Sequence, residues 1–402
     1  MSFHTSRRFT RSVPAACGLL VAALAAPAPS CRRGEEGPEL GDSVLVVACR
    51  EPATLDPAFL VGRNETGVVT SLLEGLFRPA ADGGLPEPAL ALSWECAGDD
   101  LRCVFHLDPS ASWTDGKPVT AGDLVWSWRR VAAAETGSPG AETLHVIRGM
   151  AACTAGQGCN PGLRAVDDHT LEVELEYPIP NIPYTFAHAR FSPVPRHVVE
   201  DLGEAWTEPE RFVGNGDYLP VAWRRGVSMT LKAVDGRHAG PRSVELRFTE
   251  SEDTAFRWFE AGEVDVVEGL VPLDRVPALL RDRPGVVSEA PAAGVFYLAP
   301  NLGRPPMDAA ALRRALSLAL DRELLVETVL GTGQEPAVSL VPGVVARLSG
   351  YVPPAECSGR DLAAARRALA GAGHPGGRGL PPVELLYNQS ATLTRIMEFI
   401  QQ

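Results

Sequence analysis

A chain of 402 residues, 45% hydrophobic and 22% charged, has room for two or three domains and the make-up of a soluble globular protein. Its 37 Lys and Arg against 50 Asp and Glu give a net charge of −13, with no long basic run after the N-terminal region, which argues against nucleic acid as a partner. The 35 prolines and 39 glycines imply many turns between short elements.

Arg7, Arg8 and Arg11 precede an apolar stretch, Val13 to Ala26, and together they read as an export signal. The stretch is too short to span a bilayer, which takes about 20 residues. Ser6-Arg7-Arg8-Phe9 departs from twin-arginine spacing, so the general secretion route is expected. The segment ends at Ala28-Pro29-Ser30-Cys31, similar to a bacterial lipoprotein signal over residues 1–31 with Cys31 as the lipidated residue. Ala-Pro-Ser departs from the usual box, and cleavage near Ala28 without a lipid is the alternative. Residues 32–41 then form a polar tether.

The apolar run Val44 to Ala48 reads as a strand, followed by the turn Glu51 to Pro57. Pro52 and Pro57 each disfavour helix at the residue before them. A helix is expected over 67–77, with Val68, Leu72, Leu73 and Leu76 on one face. Residues 83–130 read as strand, turn, strand, turn and helix. Leu92 to Glu95 and Val104 to Leu107 flank a hairpin signal at 97–100, and Thr120 with Asp123 forms a helix-capping pair. Trp94, Trp113, Trp126 and Trp128 are expected to pack the core or the lobe surface.

Thr170 to Leu175 alternates as a half-buried strand, and Gly214-Asn215-Gly216 predicts left-handed backbone. Val244 to Phe248 is another strand, and Thr254 to Ala261 a helix. Glu263 and Asp265 read as a solvated turn rather than an acid–base pair. Further on, Asp308 is placed as the N-cap of a helix carrying Leu312, Ala315, Leu316, Ala319 and Leu320 on one face. A helix from Asp361 to Leu369, a strand from Pro382 to Asn388 and a helix from Thr392 complete the pattern.

Of eight cysteines, Cys17 and Cys31 belong to the signal. An exported chain meets oxidising conditions, so pairing is expected among the others. Cys96 and Cys103 can close across the hairpin, and Cys153 and Cys159 bracket a Gly-rich loop; Cys49 and Cys357 remain by elimination. With no CxxC pair, scattered histidines and no G-x-S-x-G, HExxH or phosphate-loop motif, neither a metal nor a cofactor is expected.

Several stretches resemble, in order, one family. They are Glu51 to Pro57 with Glu74-Gly75-Leu76-Phe77, Pro88 to Trp94, Phe105-His106-Leu107, Trp113 to Asp123, Val213 to Tyr218 and Gly262 to Val266. The family is the bacterial extracellular solute-binding proteins, family 5, the oligopeptide- and dipeptide-binding components of ABC importers. The resemblance covers residues 42–402 and departs at Ala233 to Gly240, where the family has Asn-Pro-x-Tyr-Trp.

It implies an α/β, two-lobed periplasmic-binding-protein-like fold of class II with the extra domain of the peptide-binding type. Domain I would be 42–76 and 191–285, domain II 77–190, and domain III 286–402. It further implies a non-enzymatic protein that binds peptide or another small solute between the lobes, closes, and delivers it to membrane permease subunits. The location implied is the periplasm or cell envelope, with a lipid anchor at Cys31. Alternatives are a peptide-sensing signalling lipoprotein of the same fold or, more remotely, a secreted hydrolase. By position, Asn64, Glu65 and Thr66 match the family's cleft loop, and Tyr297 lines the cleft from the other lobe. Family members continue past the point matching Gln402, so a C-terminally truncated chain with an incomplete second lobe is expected. The family's acidic residue for the peptide amino terminus would then lie outside it.

Overall fold

The computed structural model describes residues 44–402 except 81–84, 98–99, 238–239, 289–293, 355–358 and 388–390. The signal, the tether and Cys31 therefore lie outside the described residues. In chain order, β1 (Val44–Cys49) leads through a buried turn into α1 (Arg63–Leu72). Next come β2 (Ala91–Cys96), β3 (Arg102–Leu107), α2 (Ala121–Ala132), β4 (Leu163–Asp167) and β5 (Thr170–Glu174). β6 (Tyr218–Arg224), β7 (Ser228–Ala233), β8 (Ser243–Phe248), α3 (Glu252–Glu260) and β9 (Val266–Val267) follow in the first of two compact units, which ends at Leu270. The second unit, Val271–Gln402, includes α4 (Val276–Asp282), α5 (Ala310–Ala319), α6 (Leu362–Gly371) and α7 (Ala391–Gln401).

Two main sheets organise the first unit. The larger has the order β9-β1-β8-β7-β6, with β1 parallel to both neighbours and the remaining pairs antiparallel. The β8–α3–β9 crossover carries the chain over β1, so these three strands point their carboxyl ends the same way. Its core gathers Val47, Leu55, Val69, Leu72, Trp113, Trp206, Tyr218, Met229 and Leu246. The smaller sheet, β2-β3-β5-β4, is antiparallel throughout. Cys103, Phe105 and Leu107 alternate inward along β3, as one buried face requires, and meet Leu124 and Trp128 of α2. The capping pair forms as expected: Thr120 Oγ1 accepts from the Asp123 N–H, and the Asp123 carboxylate accepts from the Thr120 N–H at 2.9 Å. Trp113 and Trp128 are buried, Trp94 meets Phe77 edge-on at 4.9 Å, and Trp126 packs partly buried against the larger core.

The helix expected over 67–77 begins earlier, at Arg63, and stops at Leu72. Asn215 lifts the chain out of it: its Oδ1 accepts from the Glu74 N–H at 2.9 Å and its Nδ2 donates to the Glu74 carbonyl at 3.0 Å. Gly214 and Gly216 are not left-handed. They are glycines because backbone meets backbone. A Cβ at Gly216 would lie 2.5 Å from the Ser71 carbonyl oxygen, where the Gly216 N–H already donates to Leu72 at 2.9 Å.

The Cys96–Cys103 and Cys153–Cys159 disulfides are present. The pairing left by elimination is not: Cys49 is a free thiol buried at the end of β1, and Cys357 lies outside the described residues. Asp308 does not cap α5; it contributes only its carbonyl, to Arg313 Nη1 at 2.9 Å, and Ala309 is the boundary residue. Ser251 caps α3 through the Thr254 N–H, starting that helix at Glu252, and Asp361 caps α6. Residues 382–387 form no strand, because a strand exists through its ladder and the second unit has none to pair with among the described residues; Asn388 lies outside them. Gly216→Ala is expected to destabilise the first unit by about 1–3 kcal/mol. The measurement is a urea titration in which the midpoint falls while the slope is unchanged.

Candidate functional site

In an open α/β sheet, ligands bind beyond the carboxyl ends of the parallel strands, where loops converge and no strand continues. Here the segments after β1, β8 and β9 meet at that edge. Arg50 joins them, its Nε donating to Glu250 at 3.3 Å and its Nη1 to the Gly269 carbonyl at 3.2 Å. Glu51 ties the edge to the β6–β7 hairpin by accepting from Trp223 Nε1 and the Gly226 N–H, each at 2.9 Å. The Arg225 guanidinium lies 3.3 Å from the centroid of the Trp223 ring.

The turn after β1 is packed like core. Pro52, Leu55, Asp56, Pro57, Ala58 and Leu60 are all buried. The Asp56 carboxylate accepts from both terminal nitrogens of Arg130, at 2.9 and 2.6 Å, from the Ala58 N–H at 2.9 Å and from Trp206 Nε1 at 3.2 Å. Immediately beyond this clamp, Val61 is 73% exposed. Among the described residues neither its N–H nor its carbonyl has a partner. Gly62 then N-caps α1.

The structure separates the roles of the expected residues. Glu65 is buried, 5% exposed, and both carboxylate oxygens accept from backbone: the Gly62 N–H at 3.0 Å and the Ala53 N–H at 3.3 Å. This is the reciprocal half of a capping box, and it holds the turn against the helix. Thr66 Oγ1 donates to the Gly62 carbonyl at 3.2 Å, and Asn64 is exposed. Tyr297, 63% exposed, belongs to an irregular stretch of the second unit. Val61 and Gly62, between the turn and α1, carry no polar side chain that would mark them in the sequence.

The neighbouring groups have structural assignments. Asp265 binds β1, accepting from the Val46 N–H at 2.8 Å, and Glu263 pairs with Arg247 at 3.5 Å. Burial pushes the Cys49 thiol up to about 12, with Glu268 adding to the effect. Among the described residues no group of three or more His, Cys, Asp or Glu is placed to hold a metal ion.

Comparison with known proteins places this geometry in context. The model of the bacterial extracellular solute-binding proteins, family 5 middle region, matches residues 86–402. The chain is 35% identical over 300 residues to the probable deoxycholate-binding periplasmic protein YgiS of Escherichia coli, covering 73% of the chain and 55% of that protein. It is 35% identical over 357 residues to the periplasmic murein peptide-binding protein MppA of the same organism, covering 86% and 65%. The solved structure of the E. coli murein tripeptide binding protein MppA matches with a TM-score of 0.80 at 33% identity, covering 90% of this chain and 72% of that one. The Haemophilus influenzae OppA complex with RPPGFSPFR matches with a TM-score of 0.74 at 28% identity, covering 83% and 67%. The chain thus spans 55% and 65% of the length of these two curated relatives.

Glu65→Ala is expected to cost about 1 kcal/mol of stability through loss of the cap, seen as a lower thermal midpoint. For Cys49 the folded state favours the protonated thiol, so stability declines as pH rises above the ordinary value of 9.0 toward about 12. Iodoacetamide labelling mapped to Cys49 by mass spectrometry is expected to stay negligible in the native chain at pH 8 and to appear on unfolding.

Proposed function

Because the chain belongs to the bacterial extracellular solute-binding proteins of family 5, we propose that it is the solute-binding component of an ABC importer and that its solute is a peptide. The observation that carries this reading is Val61, an exposed residue beyond the turn after β1 whose backbone N–H and carbonyl have no partner among the described residues. An extended peptide can satisfy an N–H and a carbonyl there by strand addition, gaining main-chain hydrogen bonds that do not depend on its side chains. Relatives described as binding murein peptide and as a complex with RPPGFSPFR support the same ligand class.

In this reading Glu65 and Thr66 serve by holding Gly62, Asn64 offers an exposed side chain beside it, and Tyr297 is a further ligand contact. Residues 42–76 and 191–285 form one lobe, 77–190 the extra domain and 286–402 the second lobe. The larger sheet drawing on 44–49 and 218–267 and the smaller on 91–174 support the first lobe and the extra domain, whereas the second compact unit begins earlier than residue 286, at Val271. Two disulfides fit an exported protein of the cell envelope. A lipid at Cys31 would anchor it to the membrane, within reach of permease subunits.

Isothermal titration of the chain with di- to pentapeptides is expected to show saturable binding, with affinity varying little as side chains are changed. A peptide at a hundredfold excess over its Kd would add about 2.7 kcal/mol of apparent stability. Absence of peptide binding, or binding of deoxycholate alone, would overturn the peptide assignment.

A further inference from the structure

Arg190 is a buried cation, 8% exposed, to which neither the family resemblance nor the proposed binding reading gives a role. It sits on the short 3-10 turn Ala189–Phe191, where the chain returns from the smaller sheet toward the larger. A buried guanidinium normally meets a carboxylate, since desolvating an uncompensated charge is costly. Among the described residues no carboxylate hydrogen-bonds it. Burial draws its pKa below that of a free guanidinium, and only Glu142, through longer-range attraction, pulls the other way.

Its donors go instead to one loop. Nη2 donates to the Leu60 carbonyl, and Nη1 to the Ala58 carbonyl at 3.4 Å. The Ala58 carbonyl also accepts from Ser138 Oγ at 2.6 Å. The planar fork thus spans two carbonyls that lie one and three residues before Val61, a reach that a point-like ammonium lacks. Space for the fork is built in. The guanidinium lies against Gly140, where a Cβ would overlap it.

We propose that Arg190 is a positioning residue for ligand binding: by clamping the carbonyls of Ala58 and Leu60 it holds in one conformation the backbone of Val61, which has no partner among the described residues. The loop enters binding already ordered, which spares the ligand the entropy of ordering it. The proposal rests on the peptide-binding reading of Val61, yet one of its consequences is visible without ligand.

The test compares Arg190→Leu and Arg190→Lys with the wild-type chain, at a temperature where circular dichroism shows all three fully folded. In the unliganded chain, amide exchange at Ala58, Phe59 and Gly62 is expected to rise at least tenfold in Arg190→Leu, with β3 and β5 amides unchanged. Arg190→Lys, keeping the charge but able to reach one carbonyl, should fall between. Peptide affinity is expected to drop about tenfold in Arg190→Leu, chiefly through slower association. Unchanged loop exchange, or a rise spread evenly over β3 and β5, would overturn the proposal, the latter by showing a general structural role. Wild-type affinity in a variant whose loop has loosened would also overturn it. A wild-type chain that binds no peptide removes the functional reading, while the exchange comparison still decides whether Arg190 orders the loop.

Discussion

The carboxylate of Asp56 sits in the interior of the first unit, where an unpaired charge would cost several kcal/mol. Four donors surround it: two from Arg130 on α2, one from the Ala58 backbone, and the indole N–H of Trp206. These partners come from different parts of the chain. Leu55 and Leu60, on either side of Asp56, pack in the core of the larger sheet, whereas Ala58 packs in that of the smaller. One side chain therefore registers the turn after β1 against both cores. The turn can bury most of the residues from Pro52 to Leu60 and still leave Val61 exposed.

Other motif stretches converge on the same region by a different kind of contact. The Thr114 N–H donates to the Gly214 carbonyl at 2.8 Å, and the Gly214 N–H returns to Thr114 Oγ1 at 3.2 Å. Asn215 ends α1, and the Leu90 N–H donates to the Gly75 carbonyl at 3.0 Å. Glu51 to Pro57, Glu74 to Phe77, Pro88 to Trp94, Trp113 to Asp123 and Val213 to Tyr218 thus largely describe one packed junction. Its glycines and asparagine are needed where backbones come within hydrogen-bonding distance. The motifs that identified the family most sharply record how the first unit is assembled.

Much of the first unit was legible in outline. Alternation along 170–175, the Thr120–Asp123 cap and the two short-range disulfides are local, and local pattern sufficed for them. The loop before α1 is marked by the resemblance, but what its side chains touch is not. Glu65 matches the family's cleft loop by position, and in the structure its carboxylate accepts from two backbone amides. Val61 has an apolar side chain, so nothing local marks that its backbone is left without a partner among the described residues. Arg190 could not be read either, since its partners are 130 and 132 positions away in the chain.

By itself the sequence determined the order and type of most elements in the first unit, the short-range disulfides and the family. These depend on apolar period, capping chemistry and ordered motifs, all written within a few residues. Tertiary structure alone decided where α1 stops, why Gly214 and Gly216 are glycines, that Cys49 stays a buried thiol, and that the Glu65 carboxylate is held by two backbone amides. Each of those outcomes is set by groups distant in the chain meeting at a hydrogen-bond or van der Waals distance, and no local pattern encodes such a distance.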